Sequence, residues 1–157
     1  MENPTIRSAY ERERGKPMPG KNHNRIQHRL NVELAKRYDQ QYDFLPEQDL
    51  ELSTGRAVPD LAIYPNLIYD WMNDTIRMTD PPLTTIEILS PKQALTDLTD
   101  KIQAVYFPAG VKSCWIVIPP LQTVHILAPG QPIATFTTGI ITDPATGVHL
   151  NLEDIFQ

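Results

Sequence analysis

Fifteen prolines in a chain of 157 residues limit the helices this protein can form. A proline ring fixes φ, removes a backbone donor and collides with the preceding helical turn, so prolines collect in loops and at strand edges. Two stretches nonetheless keep helical spacing. A helix is expected from Asn22 or Asn24, either of which can cap it, to about Tyr38. Ile26, Leu30 and Leu34 share one face of it, widened by Ala35 and Tyr38. A second helix is expected from about Thr96 to Ala109, stopped by Gly110.

The remaining apolar runs are short and bounded by turn residues, which predicts strands. They are Asp43 to Leu52, Arg56 to Tyr64, Leu83 to Leu89, Cys114 to Ile118, Gln122 to Ala128 and Ile133 to Thr137. Residues 1–21 read as a loop with one short element. Residues 65–82 form a long connection in which Ile68, Tyr69, Trp71 and Met72 are expected to pack down, and such loops often cover a binding face. The turn Asp143–Gly147 leads to a closing segment, Val148–Phe156. This order predicts an α/β (α+β) architecture, a mixed β-sheet flanked by helices, with residues 1–157 as one domain. The chain has no glycine-rich phosphate loop, which argues against nucleoside-triphosphate chemistry.

Net charge is −5, but residues 1–39 carry +4 and residues 40–157 carry −9. A basic segment beside an acidic site can steer a nucleic acid, although the same arginines and lysines (Arg12, Arg14, Lys16, Lys21, Arg25 and Arg29) can equally be a solvated face. The lone cysteine, Cys114, lies in an apolar run and reads as a small buried hydrophobe, consistent with a cytoplasmic home. The start, Met1-Glu2-Asn3-Pro4, lacks a signal sequence, and no apolar run approaches a membrane span.

Two acids break the apolar pattern: Asp60 in Val-Pro-Asp-Leu-Ala-Ile-Tyr and Glu87 in Thr-Ile-Glu-Ile-Leu-Ser-Pro. An ionised carboxylate inside a buried strand needs a positive partner. Side chains alternate across a strand, so each strand has one face suited to helix packing and a second face carrying one acid. If the strands are neighbours, both acids reach one divalent ion, Mg²⁺ or Mn²⁺, the arrangement that hydrolyses phosphodiesters. On the second helix, counted at about 100° per residue from Leu98, Lys101 falls near −60° and Tyr106 near 80°. Lys101 thus stands at the border of the apolar face, where its stem can lie on the sheet and its ammonium reach the acids.

From Tyr10 to the C-terminus the chain resembles the Uma-two-type restriction endonucleases, a branch of the PD-(D/E)xK nuclease superfamily abundant in cyanobacteria. The resemblance rests on an ordered set: Tyr10-Glu11, Gly15, Met18, His23, Pro59-Asp60, Glu87-Ile88-Leu89-Ser90-Pro91, Asp100-Lys101, Tyr106, Gly110-Val111, Trp115-Ile116-Val117, Asp143, Gly147 and Ile155-Phe156. It implies a restriction-endonuclease-like fold, with Asp60 and Glu87 as metal ligands, the Ile88 carbonyl as a further ligand and Lys101 as the catalytic lysine. The superfamily's usual lysine two residues after the glutamate is Leu89 here, so the role moves to the helix; Lys92 is the competitor. Glu11 and His23 match family positions and are candidates to join the site. Three functions remain open: a DNA endonuclease acting as a homodimer, a catalytically silent nuclease-fold module, and a hydrolase of other phosphate esters.

Overall fold

A computed structural model describes residues 8–157; the reading of Met1–Pro4 falls outside them. Two helices come first, α1 (Ala9–Arg14) and α2 (Lys21–Tyr38). Six strands follow: β1 (Tyr42–Pro46), β2 (Asp49–Leu52), β3 (Gly55–Ala57), β4 (Leu61–Pro65), β5 (Arg77–Met78) and β6 (Thr84–Ile88). Next come α3 (Leu95–Lys101), a π-helical turn (Ile102–Tyr106) and α4 (Phe107–Ala109). The chain ends with β7 (Ser113–Ile118), β8 (Thr123–Leu127), β9 (Ala134–Phe136), β10 (Ile140–Thr142), β11 (His149–Asn151) and α5 (Leu152–Ile155).

The main sheet has the order β1-β4-β6-β7-β8-β9. Only β6 and β7 run parallel; every other neighbouring pair is antiparallel. The parallel pair needs a crossover, and the helical segment from α3 to α4 supplies it. The mixed sheet with flanking helices expected from the sequence is therefore present. One face is covered by Ile26, Leu30 and Leu34 of α2 and by Leu150, Leu152 and Ile155, packed on Leu61, Ile63, Ile86, Trp115 and Val117. The other face is covered by Leu98, Ile102 and Tyr106, with Leu50 and Leu52 from the small sheet β3-β2-β5, packed on Ala62, Tyr64, Cys114 and Ile116.

Three expectations need correction. The run 43–52 is two strands in two sheets, split at Glu47, which takes φ 54°. The run 56–64 is likewise split, because Pro59 cannot donate to a ladder. Asp60 therefore stands in the bend just before β4 rather than inside a strand. In the long connection, Ile68, Tyr69, Trp71 and Met72 do not pack down: all four are exposed. No helix among the described residues is long and apolar enough to cross a membrane.

Candidate active site

β4 and β6 are antiparallel neighbours with Leu61 opposite Ile86, so the next pair in that register is Asp60 and Glu87. The two acids are almost fully buried. Oδ2 of Asp60 accepts the Ile88 N–H at 2.7 Å, which ties the bend to the end of β6. Oδ1 of Asp60 meets Lys16 Nζ at 2.9 Å and His23 Nε2 at 3.0 Å. Oε1 of Glu87 accepts from the Tyr106 hydroxyl at 2.6 Å and from Lys101 Nζ at 3.3 Å. Among the described residues no donor reaches Oε2 of Glu87.

Burial alone would drive the Asp60 carboxyl upward. The His23 hydrogen bond, the Lys16 charge and the Ile88 N–H outweigh it and bring the pKa down to about 2. Burial likewise works against the Lys16 ammonium, but Asp60, Glu87 and Glu47 together hold its pKa above the ordinary lysine value. Burial, then the charge of Glu87 and the hydrogen bond to it, push the Tyr106 phenol well above its usual pKa, so it stays a donor.

Local backbone geometry delivers these groups. In an α-helix Lys101 and Tyr106 would point about 140° apart. The turn after Lys101 is a π-turn, closed by the Phe107 N–H on the Ile102 carbonyl, and the wider turn brings both side chains to one carboxylate oxygen. Helix α1 ends at Gly15, whose φ of 70° and N–H bond to the Glu11 carbonyl reverse the chain. Lys16 is thereby turned back onto the sheet, where it also meets Glu47 at 2.9 Å. His23 enters from the first turn of α2.

A cleft of about 360 Å³ lies beside this cluster, lined among others by Glu11, Lys16, Lys92, Asp97, Asp100 and Lys101; neither Asp60 nor Glu87 lines it. Lys16 and Lys101 form its wall on the side of the acids they touch. The cluster's donor chemistry fits a hard divalent cation. Two carboxylates lie on adjacent segments, one with an oxygen free of donors, and Mg²⁺ keeps several waters, so two acids suffice. Among the described residues no group of three or more His, Cys, Asp or Glu is placed to hold a metal ion, and His23 Nε2 is taken up by Asp60 Oδ1.

The structure thus sets two bonded groups side by side at neighbouring strand positions: Asp60 with Lys16, His23 and the Ile88 N–H, and Glu87 with Tyr106 and Lys101. Lys92 and Glu11 line the cleft but, among the described residues, make no hydrogen bond or ion pair with either acid, and His28 is exposed. Lys16, which the sequence reading left open between a nucleic-acid-steering segment and a solvated face, is found against Asp60. Two buried acids require more positive charge than Lys101 alone, and that count was the available signal. Of the rest of the basic segment, Arg12, Lys21 and Arg25 are exposed, and three arginines are engaged within the chain. Arg14 pairs with Glu47, Arg29 with Glu33 and the Asp154 carbonyl, and Arg25 with the Gln157 carbonyl.

Comparison with known proteins agrees with this architecture. The family profile Uma2, described as "Putative restriction endonuclease", matches residues 2–153. A solved structure, described as a "putative nuclease belonging to DUF820" from Anabaena variabilis ATCC 29413, superposes with a TM-score of 0.74 at 26% identity. The match covers 90% of this chain and 83% of that one. A DrdV–DNA complex aligns at 12% identity with a TM-score of 0.37, over 84% of this chain and 12% of that one, too slight a likeness to carry an inference. No curated protein matches the chain.

Proposed function

The chain belongs to the Uma2 family of putative restriction endonucleases, and on that footing we propose that it is a metal-dependent endonuclease hydrolysing DNA phosphodiester bonds. The observation that carries this reading is the meeting of Asp60 and Glu87 at the end of β6, each held by a lysine that faces the same cleft. Asp60, Glu87 and the Ile88 carbonyl would hold Mg²⁺ or Mn²⁺, which when bound would supply polarisation of the phosphate and a lowered pKa for the attacking water. Lys101 orients that water and stabilises the charge developing on the phosphoryl oxygens. Tyr106 fixes the Glu87 carboxylate, and His23 and Lys16 keep Asp60 ionised and oriented. The protein works in the cytoplasm as a single domain, 1–157, and as a homodimer, so that two sites meet the two strands of a duplex.

Plasmid nicking tests the proposal. Wild type is expected to nick supercoiled DNA with Mg²⁺ or Mn²⁺ and to stop with a chelator. Asp60→Ala, Glu87→Ala and Lys101→Ala are each expected to lose about 10²-fold or more in rate while far-ultraviolet circular dichroism stays native. One observation favours a second reading, a nuclease fold that no longer cuts: Lys16 Nζ occupies Asp60 Oδ1 at 2.9 Å and neutralises that carboxylate. A wild type inert across metals and DNA forms selects that reading and overturns the first.

A further inference from the structure

The connection between β4 and β5 carries the largest apolar side chains that the fold leaves in solvent. Ile68 is 101% exposed, Met72 90%, Trp71 89% and Ile76 81%, with Tyr69 at 46%. Soluble monomers rarely leave a contiguous apolar patch larger than a few hundred Å². Trp71 alone offers on the order of 200 Å². The five side chains together approach the roughly 800 Å² per partner of a standard protein interface.

The segment is also held in shape. Asp43 accepts from the Leu67 N–H and the Tyr69 hydroxyl, each at 2.8 Å, and from Asn66 Nδ2 at 3.1 Å. Asp70 accepts from the Met72 N–H and from Asn73 Nδ2, and Gln48 donates to the Ile76 carbonyl. The Tyr69 and Trp71 rings stack with centroids 5.3 Å apart. A surface whose conformation is fixed before binding loses little entropy on binding, and Trp and Tyr are the usual anchors of such surfaces.

We propose that residues 66–76 are a docking arm by which two copies of this chain associate, arm against arm about a two-fold axis. Charge selects this occupant. The arm carries Asp70 and Asp74 and no lysine or arginine, so a nucleic-acid backbone or an anionic membrane is repelled. At its foot Arg77 and Arg56, both half-exposed, share the single partner Asp49 and supply the opposite charge for the acidic rim of a second copy. An isologous contact needs that self-complementarity. The inference deepens the dimeric part of the proposed function, whereas its test is independent of the chemistry.

Sedimentation velocity of the full chain is expected to give twice the chain mass at micromolar concentration. The variant Ile68→Ser/Trp71→Ser/Met72→Ser is expected to give one chain mass, with dimer affinity reduced at least 100-fold and circular dichroism unchanged. Independently of that variant, the tryptophan emission of wild type is expected to shift to the red on dilution, as Trp71 returns to water while Trp115 stays buried. A wild type at one chain mass at tens of micromolar overturns the inference. So does a dimer that survives the triple substitution, or an arm that binds neutral lipid vesicles as a single chain. Nicking measured on the same samples separates the two readings. A dimer that does not cut refutes the nuclease alone, and a monomer that cuts refutes the arm alone.

Discussion

The two ends of the parallel pair β6–β7 each hold buried carboxylate, and they treat it in opposite ways. At the start of the pair, the donors that meet Asp143 among the described residues are all neutral. Ser113 Oγ at 2.6 Å and Trp115 Nε1 at 2.8 Å bond Oδ1, while the Ala145 and Thr146 N–H groups and Thr146 Oγ1 bond Oδ2. At the far end, Asp60 and Glu87 are met by Lys16 and Lys101, cations on flexible stems that border a cleft. Donors built into a turn fix a carboxylate permanently and close the turn 143–147 against the sheet. Mobile ammonium groups can withdraw from an acid when another cation or a phosphate arrives. The partner type, rather than burial, separates an acid used for architecture from an acid available for chemistry.

The strongest way to break this contrast is to remove the architectural acid. Asp143→Ala leaves several buried donors without a partner, each costing about 1–3 kcal/mol. Some will reach water, so a net loss of about 4 kcal/mol in urea-induced unfolding is expected, with nicking per folded molecule unchanged. A variant that keeps its stability but stops cutting would erase the distinction between the two ends. The converse experiment sharpens it. Glu87→Gln keeps an acceptor for Tyr106 but removes the charge, so stability is expected to change by only about 1 kcal/mol. Nicking is expected to vanish.

The same contrast explains what could be read from sequence. The apolar spacing of Ile26, Leu30 and Leu34 fixes the buried face of α2, and the run around Glu87 fixes β6, because burial alone decides them. Glu87 was legible because an apolar strand does not tolerate an acid without a reason; Asp60 was legible only as an acid beside an apolar run, since it stands in the bend before β4. Lys101 was legible as a border residue, but its shared oxygen with Tyr106 was not, since periodicity at 100° per residue cannot anticipate a π-turn. Lys16 was hidden because it lies outside regular structure, and only the turn at Gly15 aims it inward. The arm at 66–76 was misread for a related reason: composition reports apolar side chains, yet it does not say whether the partner that covers them belongs to the same chain.

The smallest expected effect is the most specific, because it isolates one carboxylate at the chemical end. The pKa of Asp60 in the folded protein is lowered to about 2, below the ordinary aspartate value of about 3.9. A depressed carboxylate contributes stability that is fully present above the unfolded value and is lost as pH falls through the folded one. The window therefore runs from about pH 4 down to pH 2, and the contribution is on the order of 2 kcal/mol. Asp43, Asp70 and Glu153 are lowered as well, so the wild-type slope alone does not identify the group. The difference between wild type and Asp60→Asn does: the variant is expected to lose less stability across that window in urea titrations at fixed pH steps. Lys16→Met supplies the final constraint. It removes a charge that helps hold Asp60 ionised, so the folded pKa should rise toward the unfolded one, and the stability lost between about pH 4 and pH 2 should be smaller than in wild type. A loss as large as that of wild type would mean that His23 and the Ile88 N–H suffice, and that the Lys16 ammonium is free to leave Asp60 without cost to the fold.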